Sequence, residues 1–247
     1  MSDRPPAFYY RPDLALVHHR GFASHAAACA PGILELLEPV RQRRGLVVEI
    51  GCGSGLLARE LIAAGHRVVA TDASPAMLQL ARGQLSGAED VRRLVLPDDP
   101  LPAADAMVGV GHVLNYLPDA DAVDRALARI AAALTPGGVL ALDLCDLEWG
   151  RARREAEALG RVDDDWAIIT RFSTPSETRF VREITTFVRD EHGSWRRDDE
   201  RHENVLIDTS RVPALLSRHG VEAGVRGSFG RESMPVGLRA IVGRRVD

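Results

Sequence analysis

The chain has 247 residues, of which 45% are hydrophobic and 27% charged, and its formal net charge is −4. These values are typical of a soluble globular protein, and α/β folds of this length are commonly single domains. The negative charge argues against a nucleic-acid-binding surface, because phosphate contacts require clustered basic side chains.

Targeting, membrane and metal signals are missing from the sequence. The first residues carry Arg4-Pro5-Pro6 rather than a basic start followed by an apolar run, and no apolar stretch approaches the ~20 residues of a membrane span. The cysteines at positions 29, 52 and 145 share neither metal-ligand nor disulfide-framework spacing. We therefore expect a cytoplasmic protein that contacts no membrane and binds no metal ion.

The N-terminal part is expected to be irregular over residues 1–12 and helical from Asp13 to Val40. The apolar pattern predicts two helical pieces, with a break near Pro31-Gly32. Aromatic and basic side chains lie on or just before the first piece.

A glycine-rich turn follows the apolar run that begins at Leu46. Glycines at 51, 53 and 55 are spaced two apart, and a helical pattern starts at Leu56. Glycine accepts backbone angles closed to other residues and lets a ligand approach the main chain. A dinucleotide fingerprint would place its third glycine at position 56, and a Walker loop would continue with Gly-Lys-Ser/Thr. The sequence has neither pattern.

The pattern continues as alternating strands and helices up to residue 145. Strands are predicted at 46–50, 67–71, about 91–96, 105–110 and 138–144, and helices near 55–64, 75–84 and 119–134. Such alternation predicts a parallel sheet with right-handed crossovers, in which ligands bind beyond the carboxyl ends of the strands.

Three stretches together resemble the class I S-adenosylmethionine-dependent methyltransferases. They are Glu49-x-Gly-x-Gly-x-Gly55, the acid Asp72 that ends the next strand, and Thr135-Pro-Gly-Gly138 before an apolar strand. The resemblance implies an α/β, doubly wound, seven-stranded sheet with six parallel strands and an antiparallel seventh. In that family the glycine turn passes under the methionine portion of S-adenosyl-L-methionine, and the acid binds both ribose hydroxyls.

The resemblance also implies a set of cofactor-binding residues. Leu96 would pack on the adenine ring, and Asp98 would replace the usual acid beside it. The implied cofactor-binding residues are Glu49, Gly51, Cys52, Gly53, Gly55, Asp72, Ala73, Met77, Leu96, Gly111 and His112.

Candidate catalytic residues follow the fourth predicted strand. His112 and Tyr116 would lie near the transferred methyl group, and the ordinary pKa of histidine makes His112 a candidate general base. The alternative is a histidine that orders the loop. Candidate substrate-binding residues are Tyr9, Tyr10, His19, Arg20, Phe22 and Asn115, with a solvated helix face as the alternative for the N-terminal ones.

An insertion follows the fifth strand. A helix is predicted over residues 151–161, and then an antiparallel meander, which would form a lid or a homodimer contact. Strand alternation places Glu200 and His202 on one face, either toward the cleft, where His202 could act as a base, or along a solvated edge. A helix at 209–219 and strands at 221–229 and 238–245 complete the chain.

The expected organisation is one domain in four segments. Residues 1–45 form a helical cap, 46–146 the cofactor-binding core, 147–205 the lid insertion, and 206–247 the last helix and strands. We expect transfer of a methyl group to nitrogen or oxygen of a small-molecule acceptor, by alignment of donor and nucleophile. A non-catalytic cofactor-binding regulatory protein and a nicotinamide-dependent oxidoreductase are the alternatives.

Overall fold

The computed structural model describes residues 9–246, in seven α-helices, eleven strands and two short 3-10 turns. The helices are α1 (Pro12–Gly21), α2 (Ser24–Gln42), α3 (Leu56–Ala63), α4 (Pro75–Arg82), α5 (Ala120–Ala133), α6 (Leu147–Arg151) and α7 (Val212–Ser217). The strands are β1 (Leu46–Ile50), β2 (Arg67–Asp72), β3 (Asp90–Arg93), β4 (Ala104–Gly109), β5 (Leu134–Cys145), β6 (Leu159–Val162), β7 (Trp166–Ser176), β8 (Arg179–Arg189), β9 (Trp195–Val205), β10 (Val221–Arg226) and β11 (Leu238–Arg245).

Seven strands form the central sheet, in the order β3-β2-β1-β4-β5-β11-β10. Strand β11, the last in the chain, is antiparallel to both of its neighbours, and the other six strands are parallel. The predicted topology is confirmed. Apolar side chains on both faces of β1, β4 and β5 are buried, which is why these strands read as near-continuous apolar runs. Because β1 and β4 are neighbouring parallel strands, the loops that follow them meet at one edge of the sheet.

The insertion forms a separate antiparallel sheet of four strands, in the order β6-β7-β8-β9. The predicted meander is confirmed, but the predicted helix over 151–161 is wrong, because α6 ends at Arg151 and 159–162 is strand β6. Almost every side chain from 151 to 165 is exposed. A segment without a buried apolar stripe has no tertiary packing to hold it helical, whatever its alanine content.

The predicted break near Pro31-Gly32 is also wrong, because both residues lie inside α2 and the chain bends at Phe22-Ala23. Gly32 serves close packing instead. A Cβ built at this position would lie 2.5 Å from the backbone nitrogen of Gly230. The glycine thus lets α2 touch the loop before β11.

Helix α1 packs on the insertion sheet. Leu14 and Val17 share a buried cluster with Trp166, Ile168 and Ile184. Two ion pairs join the same surfaces, Arg11 to Asp198 at 2.5 Å and Arg196 to Asp13. The N-terminal helix and the insertion therefore form one roof, which lies beside the carboxyl edge of the central sheet.

The described part of the chain, residues 9–246, contains neither a membrane-spanning helix nor a cluster of metal-ligating side chains. None of its helices is both long and apolar enough to cross a membrane. No three of its histidine, cysteine, aspartate or glutamate side chains are grouped so that they could hold a metal ion.

Candidate active site

The glycine turn after β1 has the backbone that the sequence pattern requires. Gly51 and Gly53 have φ values of +66° and +55°, in the left-handed region that side chains disfavour. A Cβ at Gly51 would lie 2.3 Å from the Val113 Cγ1 atom, whereas a Cβ at Gly53 would meet nothing closer than 3.9 Å. Gly51 is thus needed for packing, and Gly53 leaves an open backbone surface for a ligand.

Asp72 holds this turn in place from the end of β2. Its Oδ2 accepts a hydrogen bond from the Gly53 amide and its Oδ1 accepts one from the Ser74 amide, each at 2.8 Å. Burial raises the pKa of Asp72, and the backbone donors oppose that shift. Each carboxylate oxygen keeps a further lone pair. The carboxylate therefore fits a vicinal diol, such as the ribose of a nucleoside.

Glu49 is the buried acid of the glycine motif. Its Oε2 atom has no hydrogen-bond partner among the described residues, and burial, with a smaller contribution from Asp72, raises its pKa to about 8. A buried carboxyl oxygen without a partner is costly unless a ligand supplies a donor. An ammonium group supplies one. The motif therefore fits S-adenosyl-L-methionine, whose ammonium group would pair with Glu49 and whose ribose would pair with Asp72.

A cavity of about 290 Å³ begins at this turn and extends under the roof. Several predicted site residues line it: Tyr10, Phe22, Glu49, Gly51, Cys52, Gly53, Gly111 and His112. Other lining residues were not predicted, among them His18, His25, Trp149 and Arg182. Gly55, Asp72, Ala73, Met77 and Leu96 do not line this cavity, and their contacts with a cofactor stay predictions. Met77 and Leu96 are buried.

The loop after β4 is fixed by a buried carboxylate. Asp143, on β5 and inaccessible to solvent, accepts hydrogen bonds from the backbone amides of Gly111 at 2.9 Å and His112 at 2.5 Å. His112 has a φ of +49°, which is uncommon outside glycine. Such backbone persists only where the surroundings determine it, and Asp143 is what determines it here.

His25 on α2 completes this arrangement. Its Nε2 lies 2.7 Å from Asp143 Oδ2, and its ring contacts the Cys29 thiol. Burial lowers the pKa of His25, but the bond to Asp143 and the contact with Cys29 outweigh burial and raise the pKa to about 10. A charged histidine–aspartate pair therefore lies behind the loop. The sequence offered no spacing signal for it, because 118 residues separate the partners.

His112 lies in the cavity as a neutral ring. Its Nδ1 has no hydrogen-bond partner among the described residues, and burial, followed by the charge of Arg182, lowers its pKa to about 3. Its ring stacks on Tyr116, with centroids 5.5 Å apart. A histidine this weakly basic is a poor match for proton removal near pH 7. Its role as general base stays a prediction.

Tyr10 and Arg182 line the cavity, and Tyr116, a predicted catalytic residue, contacts both of them without lining it. The hydroxyls of Tyr10 and Tyr116 are 2.8 Å apart, and Arg182 donates to the Tyr116 oxygen. Arg182 is on β8, where the residues at even positions from 180 to 188 face inward. An arginine in that otherwise mostly apolar row is the signal that sequence reasoning missed.

Glu200 and His202 share one face, as predicted, but they face neither the cleft nor solvent. His202 is fully buried and contacts Glu200 through Nε2 at 2.9 Å, and the Tyr9 ring covers it at a centroid distance of 4.5 Å. The Glu200 carboxylate accepts hydrogen bonds from the backbone amides of Tyr10 and Arg11, with a nitrogen–oxygen distance of 2.8 Å in each. The pair anchors the N-terminal segment. His202 does not line the cavity, and its role as a base stays a prediction.

Asn115, which was predicted to bind substrate, does not line the cavity. Its fully buried amide donates hydrogen bonds to the carbonyls of Cys145 and Val205 and accepts one from the Cys145 amide, and its contact with a substrate stays a prediction. Arg20 is exposed and does not line the cavity. His19 bonds through Nδ1 to the Ser54 hydroxyl at 3.0 Å, and so joins α1 to the glycine turn.

Comparison with known proteins places the chain among proteins that share this architecture. Residues 48–140 match a family model described as a methyltransferase domain. The chain is similar to a trans-aconitate 2-methyltransferase of Paracidovorax citrulli, with 38% identity over 104 residues that make up 40% of this chain and 38% of the relative. The matched region thus spans well under half of that relative's length.

Solved structures match over nearly the whole chain. An S-adenosylmethionine-dependent methyltransferase from Clostridium acetobutylicum aligns with a TM-score of 0.76 and 16% identity, covering 94% of this chain and 98% of that one. CalS10, an amino pentose methyltransferase from Micromonospora echinaspora solved with bound S-adenosylmethionine, aligns with a TM-score of 0.71 and 21% identity, covering 98% and 100%. Because this identity is low, these structures establish the fold.

The match of residues 48–140 covers the glycine turn and the strand-end acid, and the structural matches cover the roof as well. Together they favour the methyl-donor interpretation over the nicotinamide alternative. Residues 48–140 match a methyltransferase domain, and the chain has the Rossmann-like fold of the S-adenosylmethionine-dependent methyltransferases with which it aligns.

Proposed function

We propose that this protein transfers a methyl group from S-adenosyl-L-methionine to a nitrogen or oxygen atom of a small polar molecule. One observation supports this most strongly. The buried Glu49 carboxyl, whose Oε2 atom has no partner among the described residues, and the ring of His112 line the same cavity of about 290 Å³. A cofactor on the glycine turn would therefore share an enclosed space with its acceptor, and that space suits a small molecule better than a protein side chain.

The cofactor, when bound, supplies a methyl group made electrophilic by a positive sulfur. The protein then needs to align the acceptor and exclude water. Tyr10, Phe22 and Trp149 surround the cavity with aromatic surface. The backbone amide of Tyr10 also donates a hydrogen bond to Glu200, so the segment that closes the cavity is fixed through its backbone.

The acceptor atom divides the relatives. One relative is named as a ubiquinone biosynthesis O-methyltransferase, and one solved structure is named as a sugar N-methyltransferase. An oxygen acceptor and a nitrogen acceptor therefore both belong to the proposal at this level.

We expect His112→Ala to lower kcat about tenfold while the Kd for S-adenosylhomocysteine stays within about twofold. The loss is smaller than the 100-fold or more that removing a true general base causes, because burial lowers the pKa of His112 to about 3 and leaves it weakly basic. The measurement is S-adenosylhomocysteine release with a panel of acceptors, together with calorimetric titration. An unchanged kcat would show that His112 does not contribute to catalysis and that the other cavity residues contribute by aligning the acceptor.

The cofactor site itself is tested through Glu49. Because its pKa is about 8 in the free protein, the carboxyl is largely protonated at pH 7 and must lose a proton to pair with an ammonium group. We expect binding of S-adenosylhomocysteine to tighten as the pH rises from 6.5 to 8, with proton release that calorimetry detects in buffers of different ionisation enthalpy. Glu49→Gln should bind about tenfold more weakly and lose that pH dependence.

A matched control is Glu60→Gln, an acid on α3 whose side chain is 45% exposed and whose change should leave the titration unaltered. Absence of any heat with S-adenosylmethionine or S-adenosylhomocysteine would contradict the proposed cofactor. Tight binding without a methylated product from a broad panel of acceptors would instead favour the regulatory alternative.

A further inference from the structure

We propose that the acceptor carries a carboxylate group and that Arg182 is the residue that binds it. This inference rests on the proposed function and narrows its substrate class. It derives from the position of one guanidinium group, from the acids around it, and from the charge of the groups that share the cavity.

Arg182 extends from the inward face of β8 into the cavity. It donates to the Tyr116 hydroxyl, and its Cζ atom lies 5.5 Å from the centroid of the Tyr116 ring. Its Nε–H group is buried and has no acceptor among residues 9–246. A guanidinium presents two N–H groups in the geometry that matches a carboxylate. Part of that donor set is therefore available to a ligand.

No described carboxylate neutralises this charge, since Arg182 forms none of the ion pairs within residues 9–246. Two nearby acids are already engaged. Glu200 accepts two backbone amides and contacts His202, and Asp143 accepts two backbone amides and contacts His25. A partly buried cation without a counter-ion is costly to the fold. Its retention at the cavity wall is explained by a ligand that supplies the negative charge.

The other groups in and beside the cavity leave Arg182 as its unbalanced charge, because the Glu49 carboxylate pairs with the cofactor's ammonium group in the proposed function. Burial lowers the pKa of His18 to about 4 and that of His112 to about 3, so both rings are neutral at pH 7. Burial raises the pKa of Tyr116 and keeps its hydroxyl protonated. The charge of His25 is balanced by Asp143. Arg182 thus dominates the acceptor end, which disfavours a protonated amine and favours an anion.

One carboxylate suits this site better than a phosphate. A phosphate monoester carries nearly two negative charges at pH 7, and a single guanidinium would leave one of them unbalanced in an enclosed space. A carboxylate has one charge, and the cavity must also admit the methionine portion of the cofactor. The acceptor is therefore a small carboxylic acid.

The carboxylate of the cofactor's own methionine portion is the competing source of the same chemistry. We assign Arg182 to the acceptor because it is on β8 of the insertion and donates to Tyr116, and among the described residues it forms no hydrogen bond with the glycine turn. If the cofactor were the source, Arg182→Gln would weaken binding of S-adenosylhomocysteine.

The test is calorimetric titration of the protein saturated with S-adenosylhomocysteine. The probes are the monocarboxylates benzoate, phenylacetate and butyrate, each paired with its amide, together with benzylamine and phenyl phosphate. We expect at least one acid to bind at least tenfold more tightly than its amide. Arg182→Gln should remove that preference, and Arg182→Lys should restore part of it. Arg189→Gln, at the exposed end of the same strand, is the matched control and should keep the preference.

Each other outcome overturns the inference. Amides or benzylamine that bind as well as the acids, a preference for phenyl phosphate, no binding by any acid, or an acid preference that survives in Arg182→Gln would each do so. A tenfold loss of S-adenosylhomocysteine affinity in Arg182→Gln would assign the guanidinium to the cofactor. If the wild-type protein fails to bind S-adenosylhomocysteine at all, the proposed function fails, and that result is distinct from a loss of acid preference.

Discussion

Asp72→Ala is expected to weaken S-adenosylhomocysteine binding about 100-fold, which corresponds to about 2.7 kcal/mol. Two losses combine. The carboxylate that fits the ribose diol disappears, and the Gly53 and Ser74 amides lose the acceptor that joins the glycine turn to the start of α4. Calorimetric titration of the wild-type and variant proteins measures the change.

The two losses can be separated with Asp72→Asn, which keeps the size of the side chain and one carbonyl acceptor. We expect this variant to bind about tenfold more weakly than wild type, because a charged acceptor forms stronger bonds with hydroxyl donors than an amide does. Asp90→Ala, an exposed acid on the neighbouring strand β3, should leave affinity unchanged. An Asp72→Ala protein that binds normally would show that the sugar is held elsewhere.

The central fold could be predicted from sequence because its signals are local. Strand β1 is buried and reads as an apolar run, and it ends at glycines that only a tight turn requires. The strand-end acid Asp72 then follows at the spacing that one crossover helix dictates. Each of these features depends on neighbouring residues, so periodicity and turn chemistry were sufficient to find them.

The acceptor side of the site could not be predicted in the same way, because its contacts join distant segments. Tyr10 meets Tyr116 across 106 residues and Glu200 across 190. Asn115 illustrates this. Its residue type and its place after β4 suggested a substrate contact, whereas in the structure its amide forms three hydrogen bonds with the backbone of β5 and β9. Only the packed structure distinguishes a free polar group from one that the fold already satisfies.

Loss of the Asp143 carboxylate is expected to destabilise the protein by about 4 kcal/mol in Asp143→Ala at pH 7. The change leaves the Gly111 and His112 amides without their acceptor and leaves the charged His25 ring without its counter-ion. Breaking a buried ion pair by removing one partner typically costs 3–5 kcal/mol. Urea-induced unfolding gives the free energy of unfolding, and an exposed acid such as Glu222 provides the matched control, Glu222→Ala.

The pH dependence of stability identifies the His25–Asp143 pair as the cause. The pKa of His25 is raised from 6.5 to about 10, so its contribution is fully present below pH 6.5 and is lost as the pH rises toward 10. Between pH 7 and pH 10 we expect the free energy of unfolding to fall by about 2–3 kcal/mol more in the wild-type protein than in His25→Gln. Glu49 and the buried cysteines, whose pKa values are also raised, contribute equally to the decline in both proteins.

His66→Gln is the comparison that excludes a general effect of replacing a buried histidine. Burial lowers the pKa of His66, so its ring is neutral from pH 7 to pH 10 and its replacement should leave the slope unchanged. A wild-type slope equal to that of His25→Gln would show that His25 is not charged in the native protein. The loop that carries His112 would then depend on the backbone bonds of Asp143 alone, and Asp143→Asn would destabilise the protein no more in wild type than in His25→Gln.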